Sequence, residues 1–281
     1  MVLEKNFVLT RSNDKPILYD VSYIPNKTPK PIVIFCHGYK GFKDWGAWHL
    51  VAESFVKEGF FFLKFNFSHN GGTPEQPIDF PDLKAFGQNN FSKELSDLEY
   101  IISLLSSNNE FEKEIDTKNI SLIGHSRGGG IVLIKAEEDP IISKVVTWAG
   151  VCDFKVRFQE NSETFKQWEK TGITFVENGR TKQQMPHDFQ FYKDFKTNEN
   201  RLTVRRAVEN LNARQLIIHG SKDTSVPLLE AQYLHQWNSK SSLDIIENAD
   251  HVFGASHPWV NTELPTDLNK VIKQTIAFIK K

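Results

Sequence analysis

Ile120-Ser121-Leu122-Ile123-Gly124-His125-Ser126-Arg127-Gly128-Gly129-Gly130 reads as a buried strand, a very tight turn and the start of a helix. Apolar β-formers lead into Gly-His-Ser-Arg-Gly, and an apolar run, Ile131 to Ile134, follows the last glycine. The G-x-S-x-G spacing has a mechanical reason. So sharp a turn puts the serine in strained φ/ψ, and the positions two residues to either side must lack side chains. The strain lifts the Ser126 hydroxyl clear of the sheet edge, at a helix N-terminus whose N–H groups favour developing negative charge. Glycine and serine are common in ordinary loops, so the spacing alone is a weak signal. A strand before it and a helix after it strengthen the match to a nucleophile elbow; the alternative is a glycine-rich strand-to-helix turn with no chemistry.

Working outward, the 281 residues suffice for one large α/β domain or two small ones. Hydrophobic residues at 39% and charged residues at 25% provide both a core and a solvated surface. A formal net charge of −1 leaves no electrostatic footprint for nucleic acid or an anionic membrane. Cys36 and Cys152 make neither a disulfide framework nor a metal motif, and read as buried small hydrophobes. Met1 to Arg11 alternates charged and apolar residues, unlike a signal peptide, and no apolar run reaches membrane-spanning length. The expectation is a cytoplasmic protein.

Residues 4–10 and 17–24 predict an antiparallel hairpin around the turn-like Ser12-Asn13-Asp14-Lys15-Pro16. Pro31 to Cys36 is a strand buried on both faces, ending in His37-Gly38-Tyr39-Lys40-Gly41. A helix over 46–58 and a strand from Phe60 to Phe67 follow; 73–91 is turn-rich, and Ser92 is expected to cap a helix through Leu105. After the elbow strand (119–124) and its helix, a strand runs from Val145 to Ala149. The alternation stops between about 152 and 202, a stretch dense in aromatics with a hairpin expected near Phe175 to Arg180. It reads as an inserted cap. Helices near 203–210, 227–237 and 266–280 then alternate with strands at 215–219 and 243–247. The pattern calls for about eight mostly parallel strands with helices on both faces, in a single domain over 1–281.

Asp223 lies four residues beyond His219, the last residue of its strand, and His251 lies just beyond the final strand. Ser126, Asp223 and His251 therefore fall at carboxyl ends of parallel strands, in the order Ser…Asp…His. His37-Gly38-Tyr39-Lys40-Gly41, Gly124-His125-Ser126-Arg127-Gly128, Gly220-Ser221-Lys222-Asp223-Thr224-Ser225-Val226-Pro227 and Asn248-Ala249-Asp250-His251 together resemble the α/β-hydrolases. Within them the pattern is similar to the branch of cinnamoyl (feruloyl) esterases and related ester hydrolases and peptidases. The resemblance covers all but the cap. It implies Ser126 as nucleophile, His251 as general base, Asp223 as the orienting acid, and an oxyanion hole from the backbone N–H groups of Tyr39 and Arg127. His37 and His125 read as structural hydrogen-bonders. His49, His69, His187, His235 and His257 have no comparable placement at a strand end.

Asp153 also follows a strand and competes with Asp223 for the acid role. Asp250 adjoins His251 in sequence, where neighbouring side chains point apart. Arg127 stands where that esterase branch often has glutamine; its guanidinium either attracts anionic substrates or pairs with a carboxylate. Trp168, Phe189, Phe191 and Tyr192 are the cap residues expected to meet substrate. The expected activity is carboxylic ester hydrolysis of aryl or apolar acyl groups through an acyl-enzyme, without cofactor or metal. Amide, peptide or thioester hydrolysis by the same triad, and a catalytically silent binding protein, stay open. So does the oligomeric state, a homodimer included; the expected partner is a small-molecule ester, with no nucleic acid or membrane.

Overall fold

In the computed structural model, which describes residues 2–12, 14–107 and 110–281, the N-terminal alternation forms a hairpin. Its strands are β1 (Val2–Leu9) and β2 (Ile17–Tyr23), paired antiparallel; Asn13 of the expected turn lies outside the described residues. Strands and helices then alternate: β3 (Lys30–Cys36), α1 (Trp48–Lys57), β4 (Phe61–Asn66), α2 (Leu83–Gly87), α3 (Phe91–Ser106), β5 (Ile115–His125), α4 (Arg127–Glu138) and β6 (Ile142–Trp148). Next come a 3-10 turn at Lys155–Arg157, α5 (Glu163–Thr171), β7 (Ile173–Glu177), β8 (Gln184–Asp188) and α6 (Gln190–Thr197). The alternation resumes with α7 (Val204–Glu209), β9 (Arg214–Gly220), α8 (Leu228–Trp237), β10 (Ser242–Ile246) and α9 (Thr266–Lys280).

An eight-stranded sheet has the order β1-β2-β4-β3-β5-β6-β9-β10, parallel from β4 to β10. The two-residue period of the central strands divides their side chains between two cores. Ile32, Ile34, Leu122 and Ile217 pack with α3, α4 and α8 on one face. Val33, Phe35, Ile123 and Ile218 pack with α1 and α9 on the other. Because both faces are covered, ligands have access mainly at the strand ends. Ser126, Asp223 and His251 lie there, in the loops just beyond the ends of β5, β9 and β10.

The loop after β3 is anchored from below. Lys43 and Lys64 alternate with Asp20 and Asp44 in a closed ring of ion pairs: Lys43–Asp20 2.8 Å, Lys43–Asp44 2.5 Å, Lys64–Asp20 2.6 Å and Lys64–Asp44 2.5 Å. Three of the four side chains are buried, and Asp44 is partly so. Each charge has two opposite partners, which offsets desolvation and ties the loop to β2 and β4. Phe42 closes the same loop against Phe80, Phe86 and Met185.

Local details differ from the sequence expectation. The turn-rich 73–91 stretch contains α2, and β5 starts at Ile115, ahead of the predicted 119. Asn90, rather than Ser92, caps α3: its Oδ1 accepts the Lys93 N–H at 2.9 Å. Both residue types cap well. Here the Ser92 hydroxyl is engaged instead by Asp194 Oδ2 of α6, at 2.9 Å. The 152–202 hairpin is longer than expected, since β7 and β8 pair from Ile173↔Asp188 to Glu177↔Gln184. Cys36 and Cys152 are buried free thiols. Among the described residues no helix is long and apolar enough to cross a membrane.

Candidate active site

Ser126 sits between β5 and α4 with φ 56° and ψ −120°, a strained conformation for a residue with a Cβ. Its surroundings over-determine that strain. Its N–H donates to the Trp148 carbonyl at 3.0 Å, and its carbonyl accepts from Gly129 at 2.9 Å and Val151 at 3.1 Å. The flanking glycines are steric necessities. A Cβ on Gly124 would lie 2.3 Å from the Gly128 carbonyl oxygen, and one on Gly128 would lie 2.5 Å from that of Cys36.

The Asp223 carboxylate is buried and saturated with donors. Oδ1 accepts the N–H groups of Ser225 (2.8 Å) and Val226 (2.9 Å). Oδ2 accepts His251 Nδ1–H at 2.7 Å and lies 3.3 Å from His219 Nε2. Burial by itself would push this carboxyl up; the hydrogen bonds from His219, His251 and Val226 outweigh it and hold it well below the usual carboxylate range. With Nδ1 committed to Asp223, the His251 ring keeps Nε2 for other chemistry. Backbone bonds from Ser221 to the Ile246 carbonyl and from Lys222 to that of Ala249, both 3.0 Å, join the Asp223 and His251 loops.

His125 holds the His251 loop from the other side, its Nε2–H donating to the His251 carbonyl at 2.9 Å, with the two rings 4.8 Å apart. Burial, followed by the neighbouring His251, pulls His125 down to about 3, so the ring is neutral. His37 is likewise drawn down to about 4 by burial; its Nδ1–H bonds the Gly38 carbonyl and its Nε2 accepts from Phe67 N–H. Asp153 is exposed and accepts the N–H groups of Lys155 and Val156, opening the 3-10 turn. The exposed Asp250 does the same for Val252 and Gly254. Of the three candidate acids only Asp223 touches His251.

Gly38 brings the loop after β3 onto the serine: a Cβ there would lie 2.8 Å from Ser126 Cβ. Among the described residues, the N–H groups of Tyr39 and Arg127 bond to no protein acceptor. Ser126, Tyr39 and His251 line two cavities. Within them the Ser126 hydroxyl and the His251 ring are not hydrogen-bonded to each other, a contact that free enzymes often leave open. The larger cavity, about 620 Å³, is walled chiefly by Phe91, Phe154, Phe158, Trp168 and Phe191. The smaller, about 190 Å³, is bounded by Lys40, Trp45, Trp48 and His125.

Of the four aromatics picked from sequence, Trp168 and Phe191 line the larger cavity. Phe189 and Tyr192 stand behind, Phe189 against Trp168 at 5.1 Å and Tyr192 against Phe165 at 4.7 Å. Phe154 and Phe158 escaped selection because nothing in their spacing distinguishes wall from packing. His187 also lines the cavity; its Nε2 is 2.7 Å from the Tyr39 hydroxyl, and burial, then Arg127 and Lys40, pulls it down to about 4. Its sequence neighbourhood carries no signal. His219, by contrast, could have been found from its i, i+4 spacing to Asp223 at a strand end.

The Arg127 side chain also faces the larger cavity. Its guanidinium lies 4.5 Å from the ring centre of Tyr39, 5.3 Å from Phe191 and 5.5 Å from Phe91, and 3.4 Å from Glu94 Oε1.

Residues 31–182 match a family described as the alpha/beta hydrolase fold. No curated protein sequence matches the chain. Est1E from Butyrivibrio proteoclasticus with ferulic acid bound superposes with a TM-score of 0.74 at 16% identity, covering 98% of each chain. A putative hydrolase from Agrobacterium vitis S4 gives 0.74 at 17%, over 99% of this chain and 100% of that one. The esterase domain of a Rhodothermus marinus protein gives 0.65 at 19%, over 99% and 98%. At such identities the likeness is one of fold.

Proposed function

The chain belongs to the alpha/beta hydrolase fold family, and on that premise we propose that it is a serine hydrolase cleaving carboxylic esters through an acyl-enzyme. The observation that carries the reading is the Asp223–His251 hydrogen bond of 2.7 Å. It uses Nδ1 and leaves Nε2 on a ring that lines both cavities together with Ser126.

In this mechanism His251 Nε2 takes the Ser126 proton as the oxygen attacks the ester carbonyl. The tetrahedral oxyanion is received by the free N–H groups of Tyr39 and Arg127 at the N-terminus of α4. The imidazolium, steadied by Asp223, then protonates the departing alcohol. Water repeats the sequence on the acyl-enzyme and releases the acid. The 152–202 segment acts as a cap whose aromatic walls favour flat or apolar acyl groups. The ferulic acid bound by Est1E is an aryl acid of that kind.

The test is covalent labelling with a fluorophosphonate, followed by turnover of aryl, short-chain and long-chain esters beside aminoacyl anilides. Labelling should fall on Ser126 and vanish in Ser126→Ala. A protein that stays unlabelled is a binding scaffold, and labelling of another serine moves the site. Faster anilide than ester cleavage transfers the same triad to amides.

A further inference from the structure

The larger cavity is aromatic-walled, yet among the described residues its only formally charged lining residues are Arg127 and Arg157, with no aspartate or glutamate. The smaller cavity adds Lys40 and, among the described residues, again no carboxylate. In a chain of net charge −1, the formally charged side chains on these walls are cationic, and the carboxylate partners of the two arginines stand behind them.

The two arginines are not equivalent. Arg157 donates to Glu230, which also receives the Cys152 N–H, and more than a third of its side chain is exposed. Arg127 is held over three aromatic faces with 18% of its side chain exposed. A guanidinium carries five N–H donors. Among the described residues Arg127 uses one of them, in a single 3.4 Å contact from Nη1 to Glu94 Oε1. None of its nitrogens is both buried and unbonded among the described residues, and the side chain lines the larger cavity. Its internal counter-ion is also a poor one. Glu94 is buried, its Oε2 has no partner, and burial pushes its carboxyl up despite Arg127. The result is a preoriented fork next in sequence to Ser126, with aromatic faces around it and donors to spare.

We propose that the substrate carries a carboxylate on the portion that occupies the larger cavity, received by the Arg127 guanidinium, so that the natural ester is a flat, anionic one. This rests on the reading of Ser126 as the acylated nucleophile. A carboxylate matches the planar fork in two parallel hydrogen bonds, where a neutral amide of the same shape offers only one acceptor oxygen.

The experiment compares two 4-nitrophenyl esters of the same shape, the mono-ester of terephthalic acid and the ester of 4-carbamoylbenzoic acid. Each kcat/KM is normalised to the ester's own hydroxide-catalysed rate. The wild-type protein should favour the carboxylate by about tenfold or more at low salt, the range of a hydrogen bond to a charged group. Arg127→Met should bring the ratio near one. Glu94→Gln keeps the guanidinium and removes its competing carboxylate, so it should raise the ratio several-fold. A purely structural Arg127 predicts no such rise, and this variant carries the test should Arg127→Met fold poorly. A second pair, the acetate esters of 4-hydroxybenzoate and 4-hydroxybenzamide, puts the charge on the alcohol. Discrimination in one pair alone assigns the carboxylate to the acid or the alcohol half. Ratios near one in both pairs overturn the inference. If Ser126 is still labelled by fluorophosphonate in that case, the serine-hydrolase reading survives; loss of labelling removes both.

Discussion

The strip that joins Ser126, Asp223 and His251 and the proposed cap, residues 152–202, meet at the same cavity but are held by different forces. The strip is fixed by directional backbone contacts: Ser126 N–H to Trp148, two N–H groups on Asp223 Oδ1, and His125 on the His251 carbonyl. The cap is held largely by rings, with Phe154 stacked 3.9 Å from Phe91 and Phe158 set among Trp168, Phe191, Tyr192 and Phe195. Hydrogen bonds fail by the atom, whereas apolar packing fades by area. The same size of substitution should therefore act abruptly in the strip and gradually in the cap.

The widest gap lies in chemistry. Asp223→Asn should lower kcat by about 10⁴, and Ser126→Ala by at least as much, both with the fold intact. Asp153→Asn, at the entrance to the cap, should change kcat little. Measuring all three in one buffer breaks the comparison if the Asp153 variant is the crippled one.

A second contrast uses one methyl group. Gly128→Ala drives a Cβ to within 2.5 Å of the Cys36 carbonyl oxygen and 2.7 Å of that of His37, backbone atoms that yield little. A loss on the order of 3 kcal/mol or more is expected in urea unfolding. Gly179→Ala, in the β7–β8 turn, meets nothing within 4 Å. It should stay within about 0.5 kcal/mol of wild type. Equal losses would show that the two regions are equally rigid.

Within the cap, lining and packing residues should separate. Trp168→Ala should weaken kcat/KM for a bulky aryl ester relative to an acetyl ester by roughly 1–3 kcal/mol. Phe189→Ala should lower Tm while leaving that ratio alone. If both variants treat the two esters alike, the cap does not select substrate.

Acid should erase the contrast instead of sharpening it, because burial dominates for His125 of the strip, for His37 in the loop beside it and for His187 of the proposed cap alike. All three are pulled below the ordinary histidine value, to about 4, 3 and 4. The stability due to keeping them neutral is complete above about pH 6.5 and is lost as the pH falls from there towards 4. Each ring contributes about 1.4 kcal/mol per pH unit. In urea unfolding between pH 7 and 4.5, His125→Gln and His187→Gln should each flatten the slope by about one proton. A slope unchanged by either variant would show that those rings already bind a proton in the folded state.

Much of this was legible along the chain. The glycine spacing around Ser126, with a strand before it and a helix after it, points to a strand-to-helix elbow, and apolar runs such as Pro31 to Cys36 announce strands buried on both faces. Both are local consequences of sterics and side-chain period. They also made Ser126, Asp223 and His251 candidates, since each follows a strand in a chain that alternates strand and helix. Arg127 was legible as a choice between substrate and carboxylate, and its surroundings offer both, with Glu94 behind it and the cavity before it.

What the chain alone left open is whatever depends on elements distant in sequence. Which of Asp223 and Asp153 meets His251 depends on the bonds that join the Asp223 and His251 loops, and these follow from β10 lying beside β9. Separating Phe191 from Phe189 and Tyr192 required the rotation at which α6 docks, and one residue along a helix turns a side chain by about 100°. His187 reaches Tyr39 across 148 positions of sequence, a contact set by how the β7–β8 hairpin folds over the sheet end. Local sterics fix strands and turns but the elbow only in part: a Cβ on Gly124 would meet nearby Gly128, whereas one on Gly128 would meet Cys36, far along the chain. The cavity and its arginine fork exist only once separately folded elements are brought face to face.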